Sequence, residues 1–114
     1  MRIQWKQYHP FRKGGDESSV VTAEMARAVA SALADELKGK FGASRVMLFG
    51  SLARGDFHKW SDIDIAVCGV PLQNYYRAVA YVTGFSATFK IDLVDAEDCP
   101  ESLRELIERE GVDL

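Results

Sequence analysis

From Asp62 to Cys68 the chain alternates strictly, with Ile63, Ile65 and Val67 on one parity and Asp62, Asp64 and Ala66 on the other. A period of two belongs to a strand, so this run predicts a half-buried strand with one apolar face and one face carrying carboxylates. Thr88 to Val94 repeats the pattern, setting Ile91 and Leu93 against Lys90 and Asp92. Val46 to Phe49 is wholly apolar and stops at Gly50, which predicts a short buried strand. Between these runs the period lengthens. From Thr22 onward Met25, Val29, Leu33, Leu37 and Phe41 recur every four residues until Gly39 and Gly42, the pattern of a packing helix. Pro71 opens a second helix with Leu72, Tyr75, Tyr76, Val79 and Val82 as its apolar positions, and Gly84 closes it. A third starts at Asp98, with Glu101 at capping-box spacing, buries Leu103, Leu106 and Ile107, and ends at Gly111. Strands with one apolar face ask for helices on that face. The expected architecture is therefore α+β, a small mixed sheet with helices on one face and Asp62, Asp64 and Asp92 on the open one.

The chain's 114 residues suit a single domain, and 47% hydrophobic with 27% charged residues is ordinary globular composition that folds without a metal or disulfide staple. Apolar runs far shorter than the ~18 residues of a membrane span, and no secretory signal at the start, make a cytoplasmic protein without membrane contact the expectation. Cys68 and Cys99 have no zinc or redox spacing and read as buried thiols. Charge is divided unevenly: residues 1–45 hold 8 basic and 5 acidic side chains, residues 46–114 hold 6 and 12. Such an acidic second part lacks the lysines and arginines that a broad grip on nucleic acid requires. Residues 1–15 differ from the rest, with Arg2, Lys6, Arg12 and Lys13 interleaved with Trp5, Tyr8 and Phe11, before Gly14 and Gly15. They read as a basic aromatic arm joined to a single domain over 16–114. Basic and aromatic residues can grip single strands, but a terminal arm more often docks on its own domain or a partner, so nucleic acid is not an expected partner.

The chemistry concentrates in GSLARGDFHKWSDIDIAV, residues 50 to 67. Two positions apart on a strand, Asp62 and Asp64 project from one face with Cα atoms ~6.6 Å apart. Carboxylates gathered there repel one another unless a cation lies between them, and a hard ion such as Mg²⁺ takes one or two acids plus the phosphates of a substrate. Alone, such a pair is usually a solvated strand edge. Its context strengthens it: Gly50 and Ser51 follow a buried strand directly, where glycine permits close backbone approach and N–H groups can cradle phosphate. Asp92 adds a third carboxylate of matching parity on the next strand. Arg54 and Lys59 can neutralise phosphate charge, although Arg54 can equally pair with Asp56. His58 has no nucleophilic partner at a suggestive spacing and reads as a loop residue. Trp60 reads as packing, and Tyr75 and Tyr76 as core or partner surface.

Phe49, Gly50 and Ser51, a spacer, then Asp62, Ile63, Asp64 and Ile65 resemble the signature of the DNA polymerase β nucleotidyltransferase superfamily. More narrowly, LFGSLARG followed by SDIDIAV resembles the minimal nucleotidyltransferases, antitoxin halves of MNT/HEPN toxin–antitoxin pairs, over about residues 22 to 112. The resemblance implies the minimal nucleotidyltransferase fold and Mg²⁺, two ions in all, on Asp62, Asp64 and Asp92. It further implies activation of the incoming hydroxyl by Asp92, and ATP as substrate held by Gly50 and Ser51. It implies transfer of AMP to a tyrosine of a HEPN-type ribonuclease toxin, which silences the toxin. Leu52 departs from the pattern, standing where many relatives carry a basic residue, and the arm has no counterpart in it. Two rivals follow from other features. A non-catalytic module could mask the toxin, with the acidic stretch Asp95 to Asp113 facing a basic partner; three carboxylates in register count against it. Nucleotidyl transfer to a small molecule is disfavoured because the chain has no further domain to select one.

Overall fold

A computed structural model of the chain describes residues 15–58 and 61–114. The basic arm, except Gly15, and the pair Lys59 and Trp60 lie outside the described residues. In chain order the elements are α1 (Gly15–Phe41), β1 (Arg45–Phe49), the single turn α2 (Ser51–Arg54), β2 (Ile63–Cys68), α3 (Leu72–Thr83), β3 (Ile91–Asp95), α4 (Glu101–Glu110) and β4 (Val112–Asp113). The sheet order is β3-β2-β1-β4. β2 runs antiparallel to β1 and parallel to β3, so the sheet is mixed, with α3 as the crossover between the parallel pair.

The alternation read in β2 divides the core in two. Val46 and Leu48 of β1, Ile63, Ile65 and Val67 of β2 and Ile91 of β3 face α1 and α3. Met47, Phe49 and Ala66 face the other way and pack on Ile107, with Leu103 and Leu106 beside it. The α+β mixed sheet is as expected, but the helices are not all on one face. α4 covers part of the second face, because β1 is apolar on both parities and must be covered on both. The end of that face bearing the aspartates lines an open cavity.

α1 starts upstream of Thr22 and runs through Gly39; it stops at Gly42, whose φ of 79° suits glycine. Its buried stripe is Ala26, Ala30, Leu33, Ala34 and Leu37, whereas Met25 is 51% exposed. Steps of four overshoot the 3.6-residue turn by ~40° each, so Met25 lies roughly 120° around from Leu37 and leaves the core. The alanines, too small to count in a hydrophobic reading, let the helix lie close on the sheet. On α3 the buried residues are Ala78 and Val82, while Leu72 and Tyr76 are 67% and 68% exposed. Tyr75 is half-buried, and its hydroxyl donates to the Leu93 carbonyl at 3.2 Å. β3 starts at Ile91 rather than Thr88.

The capping box predicted at Asp98 does not form. Pro100 takes the cap position with no side-chain hydrogen bond, since a residue before proline avoids helical geometry and the helix can start no earlier. Asp98 instead closes a turn, its N–H bonding the Asp95 carbonyl at 3.1 Å. The two thiols are free and half-buried rather than buried, and burial pushes the Cys68 thiol up. β4 carries no sequence signal. It pairs Val112 and Asp113 with Leu48 and Met47, and Arg45 Nε donates to Asp113 Oδ1 at 2.7 Å. Among the described residues no helix is long and apolar enough to cross a membrane.

Candidate active site

β1 ends at Phe49, directly opposite Asp64 in the antiparallel register, and Asp64 lies opposite Asp92 in the parallel one. Both carboxylates therefore leave the same face of two neighbouring strands. Asp62 precedes β2, where the Ile63 N–H donates to the Lys90 carbonyl at 2.9 Å; its Oδ2 lies 3.9 Å from Lys90 Nζ.

Gly50 makes the turn at this end of the sheet. Its φ of 78° and ψ of −155° occupy a region that is almost exclusive to glycine. A Cβ at this position would collide with the Asp64 carboxyl group, whose Cγ lies 3.1 Å away. Glycine is thus required twice, by backbone conformation and by the nearness of Asp64. Ser51 then begins α2, whose leading N–H groups have no intrahelical carbonyl to bond. Leu52 is fully buried in the core, so its position on α2 faces inward.

A cavity of about 800 Å³ opens over this turn, and Gly50, Ser51, Arg54, Asp62, Asp64 and Asp92 all line it. These six predicted residues are brought to one concavity, whereas Lys59, the second candidate for neutralising phosphate, lies outside the described residues. His58, read as a loop residue, lies in a loop at its wall, where its N–H donates to Ser61 Oγ at 3.2 Å. The apolar wall was not foreseen: Val94 of β3 with Leu103 and Leu106 of α4. Their apolar periodicity was visible, but which side of the sheet α4 takes was not.

Burial raises the Asp64 carboxyl, and repulsion from Asp92 and then Asp62 raises it further, to about 6; Arg54 and Lys90 oppose this only in part. The donor chemistry suits a hard cation, which takes carboxylate and phosphate oxygens together and would relieve that repulsion. Among the described residues no three His, Cys, Asp or Glu side chains already close on one ion position. Arg54 resolves the alternative left open by the sequence towards pairing: its Nε lies 3.5 Å from Asp56 Oδ2 and its NH1 donates to Glu110 Oε1 at 3.1 Å. It lines the cavity all the same.

Comparison with known proteins identifies the family. The family model for polymerase beta, nucleotidyltransferase, matches residues 32–114. No protein of curated function matches. A solved structure assigned as a minimal nucleotidyltransferase is 33% identical with a TM-score of 0.63, covering 81% of this chain and 95% of its own. Two more distant structures share the fold. One is a toxin–antitoxin with AMP-PNP, at 23% identity and TM-score 0.59, covering 72% of this chain and 69% of that one. The other is a tri-AMPylated Shewanella oneidensis HEPN toxin in complex with an MNT antitoxin, at 18% identity and TM-score 0.58, covering 77% and 70%. With the glycine–serine turn, Asp62 and Asp64 in the matched region, the chain belongs to the polymerase β nucleotidyltransferase family, in its minimal form.

Proposed function

We propose that the protein transfers AMP from ATP, with Mg²⁺, to a tyrosine hydroxyl of a HEPN-type ribonuclease toxin and thereby acts as its antitoxin. The observation that carries this is Asp64, half-buried against Gly50 and opposite Asp92, at the floor of a cavity that also receives Ser51 and Arg54. The complexes of related fold, one with AMP-PNP and one with an AMPylated HEPN toxin, support both nucleotide and partner.

In this reading the Gly50–Ser51 turn binds the triphosphate through backbone N–H groups and the Ser51 hydroxyl, and Arg54 balances part of its charge. Mg²⁺ held by Asp62, Asp64 and Asp92, in one or two ions, would supply the charge neutralisation that phosphoryl transfer depends on. The acceptor hydroxyl attacks the α-phosphorus, its proton passes to the Asp92 carboxylate, and the bond to the β-phosphate oxygen breaks to release pyrophosphate. Positioning accounts for most of this chemistry.

Incubating the protein with Mg-ATP and the HEPN-type product of a neighbouring gene, followed by intact mass measurement of both, tests the reading. The partner should gain the mass of AMP, once or several times, with stoichiometric pyrophosphate. A partner that is neutralised with unchanged mass would instead identify a masking module, and AMP appearing only on small molecules would remove the toxin as acceptor.

A further inference from the structure

Glu110 is out of place by local rules. It is the last residue of α4, where the helix dipole disfavours an acid, and its side chain is only 19% exposed. The surrounding structure holds it there. The Gly111 N–H bonds the Ile107 carbonyl at 2.7 Å, and β4 then pairs with β1. Its Oε1 accepts from Arg54 NH1 at 3.1 Å, while the more exposed Asp56 lies 3.5 Å from Arg54 Nε. Glu110 does not line the cavity; Arg54 does. A guanidinium carries five N–H donors in a rigid fork, so with Nε and NH1 each facing a carboxylate, N–H groups such as those of NH2 remain to meet an anion.

We infer that Glu110 is the positioning residue for Arg54, holding the guanidinium at the cavity wall so that its remaining N–H groups meet the triphosphate. The inference rests on the proposed nucleotide reading and adds to it a tether from α4 to the phosphate-binding turn. Among the described residues the one side chain that Glu110 engages at the site is Arg54, so its influence on the nucleotide passes through Arg54.

A double-variant cycle tests this in the full chain, with the dissociation constant for Mg-ATP measured by titration calorimetry and the melting temperature without ligand measured alongside. Arg54→Ala should weaken binding roughly tenfold, the scale of one charge-assisted contact, and Glu110→Gln several-fold. Adding Glu110→Gln to Arg54→Ala should change binding no further. A merely structural Glu110 would cost the same in both backgrounds, and such additivity would overturn the inference. Tighter binding by Glu110→Gln would overturn it as well, since the carboxylate would then be competing with phosphate for Arg54. Wild-type protein that binds no Mg-ATP would sink the nucleotide reading and this inference together, whereas additive effects on a protein that does bind would sink this inference alone. Should Glu110→Gln lower the melting temperature by many degrees, Glu110→Ala in the same two backgrounds gives the same comparison.

Discussion

A carboxylate at Asp64 works against the folded state. It is half-buried, it faces Asp92 across the parallel register, and Asp62 lies two positions before it on the same face. The result is a carboxyl raised from 3.8 to about 6. A folded value above the unfolded one means that the native state binds the proton more tightly. The stabilisation is therefore complete below about pH 4 and lost as the pH rises through about 6. That rise corresponds to ~3 kcal/mol, which solvent screening of a partly exposed group reduces to about 1 to 2 kcal/mol. Asp64→Asn keeps the shape and removes the charge, so without ligand it should melt roughly 5 to 10 °C higher than wild type at pH 7.5. Its melting temperature should also vary less between pH 4 and 7. Thermal melts of both proteins across that range check the expectation, and parallel pH profiles would show that the repulsion is not felt at Asp64.

Among the elements, α1 shows most clearly what packs where. Leu37 is fully buried and Met25 is half-exposed, although both belong to one four-residue series. Leu37→Ala should cost about 2 to 5 kcal/mol, and Met25→Ala should stay within about 0.5 kcal/mol of wild type, measured by urea denaturation. Equal losses would mean that the helix faces the sheet as the large apolar residues alone suggest. The same contrast explains what could be read in advance. Strand parity survives tertiary packing, so Ile63, Ile65, Asp64 and Asp92 fall on the faces their alternation predicted. The glycine–serine turn is readable because it stands between a wholly apolar strand and an alternating one. Helix faces were less readable, since Ala26, Ala30 and Ala34 carry the contact without a strong hydrophobic signal. The start of α4 at Pro100 overrode a plausible cap at Asp98. The short β4 and the Arg54–Glu110 link had no local pattern at all, because each depends on where distant segments meet.

At the scale of the whole molecule the charge balance constrains how ATP can bind. The chain carries a formal charge of −3, and its acids are concentrated after residue 45. Three aspartates line the cavity, and Arg54, already shared with Asp56 and Glu110, is the one lysine or arginine among the described residues that lines it. A polyphosphate brought to this surface meets net repulsion unless a cation enters with it. Recognition of ATP should therefore depend on Mg²⁺ far more than in a pocket lined by lysines. At 100 times its dissociation constant Mg-ATP should stabilise the fold by ~2.7 kcal/mol, a rise of order 10 °C in melting temperature. ATP with excess chelator should give almost none of it. Asp64→Asn should lose the ligand-induced rise while melting higher without ligand, a pair of opposite changes that a general loss of folding cannot produce. Thermal melts of the two proteins with ATP, Mg-ATP and ATP plus chelator decide the matter, and an equal rise with chelator present would show that the aspartates hold no cation for the nucleotide.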